Sequence, residues 1–197
     1  MVAALASALA QRDPLVAAHS ARVTLLAGRL ASWLGWDEVR LARLRIGAPL
    51  HDIGKVMLSQ AILSKPGPLA PNELAEIRTH PTAGAKLISP VGSERHAIPY
   101  ALYHHERWDG GGYPTGRAGD EIPEGPRLLS VADAFDAMTS ERPYRRALPT
   151  SVALAELERC AGSQFDPAFA HAFLQAWEGG ALEVKEPPRL RASSGRA

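Results

Sequence analysis

The stretch Pro49-Leu50-His51-Asp52-Ile53-Gly54-Lys55 constrains this chain more than any other. It sets an imidazole and a carboxylate side by side among apolar residues, where polar groups are normally absent. A buried carboxylate without a partner is so costly that it is usually paired, hydrogen-bonded or bound to a metal. Further along stand His80, the doublet His104-His105 and Asp133, each beside apolar or helix-forming residues, and upstream lies His19. A lone histidine on a helix is more often a surface or hydrogen-bonded core residue than a ligand. The doublets change that balance. Neighbouring helical residues project about 100° apart, so a helix end or a turn is the natural place for both members of His51-Asp52 or His104-His105 to converge. Together these positions point to a mixed nitrogen and oxygen metal centre assembled from several helices.

Those helices can be read in order. Asp13-Pro14 opens one whose apolar steps carry Leu15, His19, Val23, Leu26 and Leu30, ending at Gly35, so His19 lies on the buried stripe. Asp37 caps a second with Val39, Leu41, Leu44 and Ala48, which delivers His51-Asp52 near its C-terminal end; Gly54 then lets the chain turn. Pro71 opens a short helix ending at His80-Pro81, and Pro81 starts the next. A helix from about residue 94 to 103, kinked at Pro99, brings in His104-His105. Pro126 starts a strong helix that puts Asp133 on or beside its buried face. Capped amphipathic helices follow over 150–160 and 166–178, while His96 and His171 fall outside the ligand pattern and read as structural or exposed. No repeat and no strand pattern appears, so the fold class is all-α, a single-domain helical bundle.

Two stretches stand apart. Residues 106–125 form a glycine-rich segment in which Gly110-Gly111-Gly112 permits unusual backbone angles and close approach, and Trp108 and Tyr113 supply rings that stack on a base or pin the loop. Arg142, Tyr144, Arg145 and Arg146 follow as a compact cation cluster whose guanidinium forks suit phosphate oxygens. Lys55, three residues after Asp52, reads as a further phosphate contact.

The 197 residues suit one domain with a full-sized core. A net charge of +1 gives no general case for a nucleic-acid polymer or an anionic membrane. The single cysteine, Cys160, excludes an intrachain disulfide framework and a cysteine-based zinc site. No apolar run reaches the roughly 20 residues of a membrane span, and no secretory signal is evident, so a cytoplasmic protein is expected. Residues 1–12 are read as a helix or linker from a missing upstream region, 13–180 as the domain, and 181–197 as a disordered tail.

The ordered set His19-Ser20, His51-Asp52-Ile53-Gly54-Lys55, His80-Pro81, His104-His105-Glu106, Asp109 through Pro114, Asp133 and Arg142-Pro143-Tyr144-Arg145 resembles the HD-GYP domain. This is a bacterial signalling branch of the HD metal-dependent phosphohydrolases, and the likeness runs from about Asp13 to about Phe173. The resemblance implies a helical bundle that holds two, sometimes three, metal ions and hydrolyses cyclic di-GMP; a hydroxide shared by two ions is the expected nucleophile, and histidine with carboxylate ligands suits iron or manganese foremost, with zinc or nickel as alternatives. It implies that His19, His51, Asp52, His80, His104, His105 and Asp133 are ligands, with Asp52 bridging. Lys55, Arg142 and Arg145 match phosphate contacts, and Tyr113 matches the motif tyrosine. It further implies protein partners such as diguanylate cyclases at the 109–114 loop and leaves a homodimer open. Three-metal members carry a glutamate where this chain has Leu15, so two ions and the linear product pGpG are expected, with GMP the further product otherwise. Relatives usually follow a sensory domain, which makes this chain a stand-alone form or an excised fragment. The competing readings are an HD-type hydrolase of another nucleotide and a catalytically silent module that senses the dinucleotide.

Overall fold

Asp13 begins α1 (Pro14–Trp33): its carboxylate accepts from the backbone N–H of Leu15 and Val16, and Pro14 sits in the first turn, where an amide is not required. The computed structural model describes residues 6–7, 9–11, 13–65, 67–141 and 146–183, so Arg142, Tyr144, Arg145 and the tail beyond 183 lie outside the described residues. The buried face of α1 carries His19, Val23, Leu26, Ala27 and Leu30. Leu15 is 58% exposed, so the stripe starts at His19 and not one turn earlier. Gly35, at φ 69°, closes the helix by letting the Trp36 N–H reach the Ala31 carbonyl.

Asp37 caps α2 (Glu38–Gly47) by accepting from the Arg40 N–H. Leu41 and Leu44 point into the core, but Val39 does not: it is on the solvent side in the first turn. Pro49 has no N–H to donate, and the backbone tightens into a 3-10 turn, Ala48–Leu50, before the His51-Asp52 turn and a second 3-10 helix, Ile53–Met57. Then come α3 (Gln60–Leu63), α4 (Pro71–Ile77), α5 (His80–Ile88), a 3-10 segment (Gly92–Ala97), α6 (Ile98–Tyr103), α7 (Glu124–Thr139), α8 (Thr150–Arg159) and α9 (Pro167–Glu178).

Several expected boundaries shift for one reason: proline sits inside the first turn, not at a break. His80 is the first residue of α5 with Pro81 behind it, Pro99 lies in the first turn of α6 and kinks nothing, and α7 begins two residues before Pro126. Asp166 caps α9, as expected, whereas Thr150 makes no cap bond at the start of α8. His96 and His171 are exposed.

Helix α1 lies along α7, and α5 packs on both the Ile53–Met57 segment and α6. The larger core fills the space between α1, α2, α7, α8 and α9 with Leu30, Leu44, Leu128, Leu157 and Phe173, and runs on to Leu182, two residues past the expected end of the domain. A smaller cluster of Leu50, Ile53, Ile88, Ala97 and Ala101 lies under α5 and α6. Gly54 belongs to this second cluster's packing and does not serve as a turn. Its φ is not positive, and a Cβ there would overlap the His80 carbonyl oxygen and come within 2.6 Å of the Gly84 nitrogen. Its missing side chain is what lets the segment bearing His51-Asp52 approach the start of α5. No described helix is long and apolar enough to cross a membrane.

Candidate metal centre

Five elements deliver the ligand-type side chains to one place. His19 comes from the middle of α1, His51 and Asp52 from the turn between the two 3-10 segments, His80 from the first residue of α5, His104 and His105 from the turn after α6, and Asp133 from α7. Both doublets therefore sit at turns. One atom from each of Asp52, His80, His104 and His105 lies within 4.8 Å of the other three, and the same holds for His19, His51 and Asp133.

The hydrogen bonds decide which way the rings face. His51 Nδ1 donates to the Ala48 carbonyl at 2.7 Å, His80 Nδ1 to the Ile77 carbonyl at 2.7 Å, and His104 Nδ1 to the Tyr100 and Ala101 carbonyls at 3.0 and 3.1 Å. A carbonyl can only accept, so each Nδ1 carries the proton and, in the neutral ring, each Nε2 presents a lone pair. Those lone pairs converge on the Asp52 carboxylate: His51 Nε2 at 3.5 Å from Oδ2, His80 and His104 Nε2 at 3.3 and 3.7 Å from Oδ1. His80 and His104 bring their Nε2 atoms within 3.2 Å of each other, and buried His51 Nε2 has no hydrogen-bond partner. Lone pairs facing lone pairs and an anion repel unless a cation lies among them. The donor set fits divalent metal, because main-chain carbonyls that fix the far nitrogen of each ligand are the usual outer support of metal-binding histidines.

Burial reinforces the neutral state. It pushes His51 down to about 4 and also lowers His80 and His105, the last with help from neighbouring His104. Asp52, though burial opposes its charge, is held well below the carboxylate range, foremost by the Lys55 ammonium beside it. Lys55 Nζ is 2.5 Å from Asp52 Oδ2, so its ammonium is committed to the ligand carboxylate at the edge of the site. His19 behaves differently. Burial favours its neutral form, but hydrogen bonds with Asp133 and Asp136 outweigh that and raise it to about 9.

The HD domain family model matches residues 3–169. The chain belongs to the HD domain family. As an HD domain it is 42% identical over 83% of its length to a cyclic di-GMP phosphodiesterase of Thermotoga maritima, covering 45% of that protein. It is 37% identical over 85% of its length to a 3'3'-cGAMP-specific phosphodiesterase of Vibrio cholerae, covering 36% of it. Among solved structures, an HDG"Y"P protein from Bdellovibrio bacteriovorus superposes with a TM-score of 0.66 at 22% identity, over 85% of this chain and 54% of that one. The chain thus spans less than half the length of the curated relatives it matches. The expected HD-GYP kinship and all-α fold are borne out at this level.

Four residues of this HD domain, Arg22, Asp136, Glu106 and Arg127, have roles that the sequence does not announce. Asp136 accepts from His19 Nδ1 at 2.7 Å while Arg22 Nε holds its other oxygen at 2.5 Å, so Arg22, Asp136 and His19 form a line ending at Asp133, 3.0 Å from His19 Nε2. The spacing Asp133-x-x-Asp136, which places both on one helix face, is the signal that could have found it. Buried Glu106 accepts from the Thr115 N–H and hydroxyl, both at 2.7 Å, and from the Gly116 N–H at 3.1 Å, which folds the glycine-rich segment back over the site. Arg127 holds the same segment from below, bonded to Asp120 and Asp166 and lying 5.4 Å from the Trp108 ring. Trp108 therefore pins the loop. Tyr113 stacks on His105 with ring centres 4.9 Å apart and planes 22° apart. Of the glycine run only Gly110 has a positive φ, whereas Gly112 is needed because a Cβ there would overlap the backbone of Glu106 and Arg107.

Asp136→Asn should weaken metal binding about 10- to 100-fold, since it removes the charge that orients and polarises His19. Competition with a metallochromic chelator reads this directly, and unchanged affinity would remove Asp136 from the site.

The metal-stripped protein should also lose stability on mild acidification. His51 titrates near 6.5 when unfolded and about 4 when folded, so between those values the unfolded chain binds the extra proton and stability falls with pH; the lowered His80 and His105 act in the same direction. His19 has the opposite sign: its contribution is present below about 6.5 and is lost as pH rises through about 9. The thermal midpoint of chelator-treated protein should therefore drop from pH 7 to pH 5. A flat midpoint would show that the buried rings are not held neutral.

Proposed function

We propose that this chain is a metal-dependent phosphodiesterase that opens the ring of cyclic di-GMP to the linear dinucleotide pGpG. The observation that carries the reading is the position of Asp52, its two oxygens facing different ligand groups. Oδ1 faces His80 and His104, and Oδ2 faces His51. Asp52, His80, His104 and His105 would hold one ion, and His19, His51 and Asp133, beside the other Asp52 oxygen, would hold a second. Divalent cations in such a pair lower the pKa of water and neutralise phosphate oxygens.

The chain supplies the rest. His51, His80 and His104 turn Nε2 inward because their Nδ1 atoms are spent on carbonyls. Lys55, at the edge and bonded to Asp52, takes part of the substrate phosphate charge, and Arg142 and Arg145 are assigned the remainder. Tyr113 roofs His105 and limits water on that side. No protein nucleophile is called for, since Cys160 is buried against Glu156 in the larger core and burial raises its thiol. Exposed Leu15 offers no carboxylate for a third ion, which supports stopping at the linear product.

The relative named as 3'3'-cGAMP-specific favours a second reading, in which the mixed cyclic dinucleotide is the better substrate. One experiment addresses both. Protein purified anaerobically and assayed for metals is incubated with each cyclic dinucleotide, with and without chelator, while linear products are followed by chromatography. Chelator-sensitive release of pGpG is expected; fully metallated protein that turns over neither nucleotide would overturn the proposal.

A further inference from the structure

Beside the ligand cluster, a groove of about 600 Å³ runs along the outer face of α5, lined by Met57, Arg78, Thr79, Thr82, Lys86 and Leu87. It joins the site through one stack of groups. The Arg78 guanidinium lies 5.2 Å from the centre of the Tyr113 ring, and that ring lies 4.9 Å from His105. Met57 ends the 3-10 helix that carries Lys55, so one wall of the groove comes from the element that follows Asp52.

The groove's charge is not spent within the protein. Neither Arg78 nor Lys86 forms an ion pair among the described residues, and both are exposed. Among the described residues, the cationic groups beside the ligand cluster have acidic partners: Lys55 has Asp52, Arg22 has Asp136, and His19 has Asp133 and Asp136. A cyclic dinucleotide carries two phosphodiesters. One would lie at the metals, leaving the other anionic and about one ring's breadth away. Arginine stacked on an aromatic face keeps its N–H edge free and pre-aimed, the arrangement that grips phosphate oxygens in pairs. Met57 and Leu87 give the groove apolar walls for a sugar and base.

Building on the functional reading above, we propose that Arg78, backed by Lys86, holds the uncleaved phosphodiester of the cyclic dinucleotide, so that the groove over α5 receives the half of the substrate that is not cut. Arg78 is thereby a specificity-determining residue that separates two-phosphate substrates from one-phosphate substrates.

The test compares metal-loaded wild type with Arg78→Ala on cyclic di-GMP and on bis(p-nitrophenyl) phosphate, which has a single diester. Loss of one charged contact should raise KM for cyclic di-GMP about 10- to 100-fold with kcat little changed. Turnover of the single diester should stay as in wild type, which also shows the variant to be folded and metallated. Arg78→Lys, which keeps the charge but loses the paired grip and the flat face over Tyr113, should recover only part of the KM loss. Equal losses on both substrates would mean that Arg78 acts by propping Tyr113, and no change on either would mean that the groove is not used; both overturn the proposal. Wild type that cleaves the single diester but no cyclic dinucleotide would instead overturn the functional reading on which it rests.

Discussion

On the function proposed above, Asp52→Ala should lower cyclic di-GMP hydrolysis by about a thousandfold or more and cut the metal bound per chain by half or more. The expectation follows from what the carboxylate touches. Its Oδ1 faces His80 and His104 and its Oδ2 faces His51 and Lys55, so both ligand groups lose the same anion at once. Three imidazole lone pairs would then face one another without a negative centre to hold a cation among them, and Lys55 would be left with its charge unpaired beside them. His51→Ala, by comparison, removes a ligand from one group only, and should cost metal chiefly at the His19 and Asp133 side. The pair of variants separates a shared carboxylate from an ordinary one. Elemental analysis and a single-turnover assay on the same preparations read both effects, and Asp52→Ala protein that keeps its metal and its rate would end the assignment.

Much of this site is legible in the sequence because its logic is local. Adjacent polar residues in apolar surroundings demand a turn, and the His51-Asp52 and His104-His105 doublets stand at turns. What stays hidden depends on partners far away in the chain. Asp136 looks like any solvated helical aspartate until His19, 117 positions earlier, is laid against it. Gly54 announces only that a side chain is missing; whether the chain uses that for a left-handed angle or for space cannot be told before α5 is placed beside it. Leu15 and Val39 fit the apolar period of their helices yet lie in first turns, where the helix extends beyond the core it covers. Arg142 and Arg145 fall outside the described residues, and the phosphate role proposed for them rests on the motif.

Gly54→Ala should destabilise the protein by about 3 kcal/mol, near the upper end for overpacking, with a fall of about 10 °C in the thermal midpoint. The added methyl has no route of escape. It would overlap the His80 carbonyl oxygen and press on the Gly84 nitrogen, both backbone atoms of α5, so either the helix or the 3-10 segment must move as a body. Moving them apart widens the gap between Asp52 and His80, now 3.3 Å, and opens the small cluster of Ile53, Ile88 and Ala101 beneath. Stability and metal binding should therefore fall together, and added metal should recover part of the midpoint, because binding favours the closed arrangement. Gly28→Ala provides the contrast. That glycine lies inside α1 with nothing within 4 Å of the new Cβ, so the same substitution should stabilise by up to about 1 kcal/mol through helix propensity. If Gly54→Ala also proved neutral or stabilising in thermal melts, the close approach of the two segments would not be what brings His80 to Asp52.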